Sequence, residues 1–252
     1  MSPVKHSSKR QEIREKRRKQ QQRQRLLIVA IILGATLILV GVVVIPGIIQ
    51  RAQEASSPVG DIVTITPYPR PNAQGTALGD PNAPVKIDVF EDFQCPSCRI
   101  YTEQVEKQVI DTYVATGKVY YVFHQYPFVD RISALKESHQ AANASMCASE
   151  QGRFWDYYDM LFANWNGENQ GSLRDKRLIA FAEAIGLDMN AFQACFSENR
   201  YKTQIDADLA MGNKWGVNGT PSVFVNGLLI KPGYVPEFTD IQQAVEAALG
   251  GK

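Results

Sequence analysis

The stretch "EDFQCPSCRIYTEQ", residues 91 to 104, sets two cysteines two residues apart at the mouth of a helix. Pro96 suits a first helical position, because the N–H it lacks would be unpaired there in any case. Tyr101, Val105, Val109 and Tyr113 then recur every four residues, so one apolar stripe runs on to Gly117, which stops the helix. Upstream, "VKIDVF" (85–90) reads as a strand, and downstream "KVYYVFHQYPF" (118–128) reads as a second. The cysteine pair therefore lies at the first strand-to-helix junction of a β-α-β unit.

At a helix N-terminus, unpaired backbone N–H groups and the helix dipole stabilise an anion on the first sulfur. Cys95 is the candidate nucleophile, and Cys98, one turn deeper, is the candidate resolving thiol of a mixed disulfide. Two other uses of such a pair are weighed against this one. A zinc site normally needs a second Cys-x-x-Cys or a His pair, whereas Cys147 and Cys195 stand alone, 49 and 97 residues beyond Cys98. A purely structural Cys95–Cys98 staple closes too short a loop to stabilise much by chain entropy. The residues favour a redox-active pair, with no metal and no cofactor expected.

From Ala134 to Trp215 no strand pattern appears, and helical stretches dominate: 134–149, 154–165, 174–185, 189–197 and 201–215. Trp155, Tyr157, Tyr158, Phe162 and Trp165 read as core and rim of this block. Strands then resume, with "PSVFV" and "LLIK" flanking Asn226-Gly227, a strong hairpin signal. "PEFTDIQQAVEAALG" closes the chain as a helix. The order implies an α/β fold, a small sheet with helices and one helical insertion at about 134–200.

Residues 26 to 45, "LLIVAIILGATLILVGVVVI", are twenty residues without a charge, long enough to cross roughly 30 Å of hydrocarbon as a helix. The run exceeds the apolar region of a cleaved signal, and no convincing cleavage site follows, so an uncleaved anchor is expected and a removable signal is the alternative. Ten of the chain's 27 basic residues precede it, against two acids, while beyond Arg51 sixteen basic residues face twenty-four acidic ones. This positive-inside pattern places the N-terminus in the cytoplasm and the rest outside. The basic run abuts the span and lacks interleaved aromatics, so no nucleic-acid partner is expected. The expected organisation is a basic cytoplasmic tail (1–25), a transmembrane helix (26–49), a Pro/Ser-rich tether (50–78) in which only "DIVTIT" resembles a strand, and one domain (79–252).

All four cysteines fall beyond the span, where disulfides form and persist. Cys147 and Cys195 could be small buried core residues, but in an oxidising compartment two leftover cysteines in one helical block more often pair. The pairing 147–195 is the one connectivity of three that leaves Cys95–Cys98 intact, so a structural disulfide is expected there. Asn143-Ala-Ser145 and Asn218-Gly-Thr220 match the glycosylation pattern and are read as chance matches in a bacterial protein.

"FEDFQCPSC" after a strand, "VFHQYPF" in the next strand, the helical block and "GVNGTPSVFVNG" together resemble the DsbA-type thiol-disulfide oxidoreductases over roughly residues 79–249. The resemblance implies a thioredoxin fold. It makes Thr220-Pro221 the loop in which a cis-proline packs beside the sulfurs and offers backbone to a substrate polypeptide. It also gives Asp92 the acidic position ahead of the motif, placed to shuttle a proton or tune the cysteine, although a solvated strand-end carboxylate fits that position equally well. The best-known member has a histidine where this chain has Ser97, and a hydroxyl lowers a thiol pKa less than a cation does, which implies a weaker oxidant. His124 could lie near the sulfurs, yet a lone histidine at a strand end is more often simply satisfied there. The expected protein is an extracytoplasmic thiol-disulfide oxidoreductase anchored in the cell membrane that introduces disulfides into its substrates rather than removing them. Its partners would be cysteine-bearing extracytoplasmic proteins and a membrane redox partner that reoxidises the pair. A reductase or isomerase of the same fold, and a non-catalytic tethered chaperone, are the alternatives.

Overall fold

Strand β2 (Val85–Glu91) alternates Val85, Ile87, Val89 and Glu91 on one face with Asp88 and Phe90 on the other, and it is the central strand of a five-stranded sheet in the computed structural model. The structure describes residues 9–56, 58–131, 133 and 135–251. β2 pairs parallel with β3 (Val119–Gln125), from Val85 opposite Val119 to Glu91 opposite Gln125. On its other side β2 pairs antiparallel with β4 (Ser222–Val225), which turns through Asn226-Gly227 into β5 (Leu228–Ile230). Both turn residues have positive φ, 47° and 81°, as a two-residue hairpin requires. A two-residue β1 (Ala77–Leu78) completes the sheet on the outer edge of β3, giving the order β1-β3-β2-β4-β5.

The helix after β2 departs from the expected continuous α-helix. α2 (Pro96–Tyr101) is followed by a wide π turn (Thr102–Glu106), a short α3 (Lys107–Val109) and a second π turn (Ile110–Val114). The sequence spacing explains this. Residues four apart drift around an α-helix of 3.6 residues per turn, and wider turns cancel the drift. Tyr101, Val105, Val109 and Tyr113 all remain buried on one face.

The helical block consists of α4 (Glu137–Ser149), α5 (Phe154–Ala163), α6 (Asp175–Ala184), α7 (Met189–Ser197) and α8 (Lys202–Lys214), and so extends past the expected limit near residue 200. The expected start of the first of these at residue 134 lies outside the described residues. Aromatic pairs seat the block on the sheet: Phe93 lies 5.5 Å from Phe162 and Phe123 lies 5.3 Å from Phe154, centroid to centroid. Such pairs each contribute about 0.5–1.5 kcal/mol beyond the area they bury. Trp155, Tyr157, Tyr158 and Phe162 are core, while Trp165 is a half-buried rim residue. A Cys147–Cys195 disulfide joins α4 to α7, with both residues buried, so these sulfurs are unavailable as metal ligands. α9 (Phe238–Gly250) closes the fold and opens on a capping box between Glu237 and Asp240.

The chain divides into two units, Met1–Pro58 and Val59–Lys252. In the first, α1 (Lys9–Ser56) contains the expected span, and over Arg17–Pro46 it is long and apolar enough to cross a membrane. The first eight residues of the expected basic tail lie outside the described residues. The expected tether over 50–78 needs correction at both ends. Helix α1 continues to Ser56, and from Val59 onward the chain belongs to the folded unit. Side chains of the domain hold this arm by its backbone. Asn164 accepts from Val63 N–H and donates to Val63 C=O, both at 2.9 Å, and Arg177 donates to the carbonyls of Val59 and Asp61. "DIVTIT" is extended but joins no strand, because the amide of Asn164 takes the place of a neighbouring strand.

Candidate active site

Cys95 caps the N-terminus of α2 in an extended conformation (φ −73°, ψ 122°), with Pro96 behind it as the first helical residue. Its residue is 8% exposed, whereas Cys98 is fully buried. Both are thiols here. The Cys95 Sγ lies 3.2 Å from the carbonyl oxygen of Thr220, and the Thr220–Pro221 peptide bond is cis. Donation from the Cys98 thiol is the largest effect holding the Cys95 pKa down, to about 6; the Thr220 hydroxyl and the N–H groups of Cys98 and Ser97 add to it against the cost of burial. Burial pushes Cys98 well up, and its hydrogen bond to Cys95 reinforces this. The two sulfurs are thus inequivalent. One is slightly accessible and favours the thiolate, and the other is a fully buried thiol that donates a hydrogen bond to it.

Asp92 is brought near the pair differently from the expectation. Its main-chain N–H faces the Cys98 sulfur, but its carboxylate accepts from Gln94 N–H at 2.8 Å, Val129 N–H at 2.8 Å and the Ser138 hydroxyl at 2.7 Å. Burial raises its pKa to about 7 against those three donors. It braces the loop that carries Cys95. His124 is not among the groups at the sulfurs. It stacks on Phe90 across the other face of β2 and pairs with Asp88 at 2.8 Å. Asn143 is buried and bonded to the Phe196 carbonyl and the Tyr201 N–H, which fits its reading as a chance glycosylation match.

Two residues beside the pair escaped the sequence reading. Gln94 is fully buried; its side chain donates to Ser138 at 2.9 Å and accepts from Asn169 N–H at 2.6 Å, and its main-chain carbonyl accepts from the Trp165 indole at 2.7 Å. Glu91 is also fully buried, on the core face of β2 beneath the sulfurs. Burial and the neighbouring Glu106 hold its pKa well above the usual carboxylate range, and the Cys95 thiolate adds to that. Its Oε1 accepts from the Tyr158 hydroxyl at 3.3 Å. The alternation in "VKIDVFE" carried the signal, since it puts Glu91 on the same face as Ile87 and Val89.

Comparison with known proteins agrees with this geometry. A family model described as thioredoxin matches residues 72–246. The probable disulfide bond formation protein D of Bacillus cereus is 28% identical over 175 residues, covering 69% of this chain and 78% of that protein. The crystal structure of oxidised BdbD from Bacillus subtilis superposes with a TM-score of 0.63 at 22% identity, over 76% of this chain and all of that one. A thioredoxin-like oxidoreductase from Silicibacter pomeroyi superposes with a TM-score of 0.57 at 27% identity, over 69% of this chain and 91% of that one.

Proposed function

The chain belongs to the thioredoxin family as a DsbA-like thiol-disulfide oxidoreductase, and from that premise we propose that Cys95 and Cys98 donate their disulfide to cysteine-bearing proteins outside the cytoplasm. A substrate thiolate attacks the Cys95 sulfur, the more accessible of the two. The Cys95–Cys98 bond breaks, and Cys98 departs and takes up a proton. The second substrate thiolate then attacks its own partner sulfur in the mixed disulfide, which joins the two substrate sulfurs and releases Cys95 as a thiolate. Thr220 and Pro221, beside Cys95, offer backbone to the substrate segment; Pro96 and Ser97 set the helix end that receives the negative charge.

The observation that carries this reading is the Cys95 thiol held down to about 6 beside a fully buried Cys98. A good leaving thiolate stabilises the reduced pair and so favours giving the disulfide away. At neutral pH that shift moves the potential toward the oxidising side. The apolar span, with the basic excess before it, supports a membrane-anchored protein with its domain outside, reoxidised by a redox partner in the membrane. Equilibrium of the purified protein with glutathione tests the direction. A potential toward that of DsbA, about −120 mV, supports donation; one near that of thioredoxin, about −270 mV, makes the protein a reductase. A reporter fused after Lys252 is expected to be active only outside the cytoplasm.

A further inference from the structure

Arg70 stands in the arm, and its guanidinium is buried to 2% exposure between Trp155, 4.7 Å from that ring centre, and Tyr158, 5.2 Å away. It forks onto Asp159 with two contacts of 2.8 Å and reaches Glu106 at 3.2 Å. Tyr68, two residues earlier, donates its N–H to the same Asp159 at 2.8 Å and its hydroxyl to Asp111 at 2.6 Å. Glu106 is fully buried and also accepts from the Tyr121 hydroxyl at 3.3 Å. Tyr158 connects this group to the redox pair, for its hydroxyl lies 3.3 Å from Glu91 Oε1.

The charges in this pocket do not balance. Glu91, Glu106 and Asp159 face one cation among the described residues, Arg70. Arg70 is matched by Asp159, which leaves two buried carboxyls with less than one counter-charge between them. Such a pair keeps a proton and titrates as a unit. Glu91 Oε2 has no hydrogen-bond partner. The groups facing Glu91 are Cys95, Cys98, Tyr101, Tyr121, Tyr158, Arg70 and Glu106; those facing Glu106 are Arg70, Asp159, Tyr68, Tyr101, Tyr121, Tyr158 and Glu91.

We propose that Arg70, carried in on the arm, is a positioning residue of the redox centre that sets the pH at which the Glu91–Glu106 pair takes up a proton as Cys95–Cys98 is reduced. The inference rests on the redox reading above. A substrate dithiol brings two electrons and two protons. Its sulfurs join, the Cys95–Cys98 bond breaks, and Cys98 takes one proton while Cys95 becomes a thiolate. Between the pH at which the carboxyl pair ionises in the oxidised protein and the higher pH at which it ionises beside the new thiolate, the second proton goes onto the pair; elsewhere it goes to solvent, or to Cys95 below about pH 6. Above about pH 6, where Cys95 is a thiolate, the potential therefore falls with pH at two protons per two electrons inside one window and at one proton on either side of it. Arg70 favours the ionised pair and so holds that window down.

The test is the potential of the purified full-length protein against glutathione across a pH series, with the reduced fraction read by thiol alkylation and mass. Arg70→Met is expected to move the steep window upward by about one pH unit, the scale for losing an adjacent opposite charge. Asp159→Asn removes a competing anion, frees Arg70 for Glu106, and is expected to move the window downward. A merely structural arginine would change thermal stability and leave the window in place. Profiles of both variants superposing on the parent overturn the role of Arg70 while the oxidoreductase reading stands. A parent that never equilibrates with glutathione overturns both. If Arg70→Met does not fold, Asp159→Asn decides alone, a downward shift supporting the proposal and an unmoved window ending it.

Discussion

The indole N–H of Trp165 donates to the main-chain carbonyl of Gln94 at 2.7 Å, so the helical insertion is fastened to the residue next to Cys95. The Gln94 side chain adds bonds to Ser138 and Asn169. Gln94→Leu keeps the volume but strands buried polar groups, at a cost of about 1–3 kcal/mol. Melting should fall by roughly 2–4 °C for each kcal/mol lost. Exchange with a protein substrate should slow more than exchange with glutathione, because a small thiol needs no wall beside the pair. Equal slowing of both would show that Gln94 does not position the insertion against the substrate.

The two sulfurs should separate by role. Cys98→Ser leaves Cys95 able to capture substrates and unable to release them, so mixed disulfides accumulate; Cys95→Ser should trap few and lose activity. Non-reducing gels followed by peptide mass analysis read this directly. If neither variant traps a partner, the pair is a staple.

Alkylation of reduced protein by iodoacetamide should follow the Cys95 thiolate, rising through a midpoint near the value of about 6 and levelling above it. The sign follows from a pKa depressed below its ordinary 9.0. The stabilisation of the reduced form is complete above pH 9 and is lost as pH falls through 6. Native Cys98, buried and raised, should not react. Ser97→His should lower the midpoint further, since an imidazolium stabilises the neighbouring thiolate. An unshifted midpoint near the ordinary 9.0 would argue for an inert pair.

Replacing Cys147 and Cys195 together by Ala opens a loop of sequence separation 48, for which the entropy relation gives about 4 kcal/mol. Thermal melting should drop while exchange at Cys95–Cys98 persists, because the second disulfide lies between α4 and α7 and away from the redox loop.

Much of this fold is legible in local pattern. "VKIDVF" and "YYVFHQ" became the parallel pair, Asn226-Gly227 became the hairpin, and every expected helical stretch of the insertion has its helix. What stayed hidden depends on tertiary context. The arm from Val59 reads as a linker by composition, and only the fold supplies Asn164 and Arg177 to grip its backbone. Arg70, Glu91 and Glu106 belong to residue types that normally face water, and only the fold brings Arg70 onto Glu106 and Asp159 and the Tyr158 hydroxyl onto Glu91. The π turns after Cys98 were implicit in a period of four, which an α-helical reading rounds to its own period.

The buried bridge between α4 and α7 makes each new copy a client for thiol oxidation as well as, on the proposed reading, an agent of it. A new chain brings four thiols, and two of them, Cys147 and Cys195, end joined and buried between helices. If the domain donates disulfides outside the cytoplasm as proposed, mature copies at the same surface would be positioned to do that joining. The population would then grow partly by inheritance, with the standing pool maturing its successors, and a cell that lost the whole pool would recover only as fast as some other oxidant could start it again.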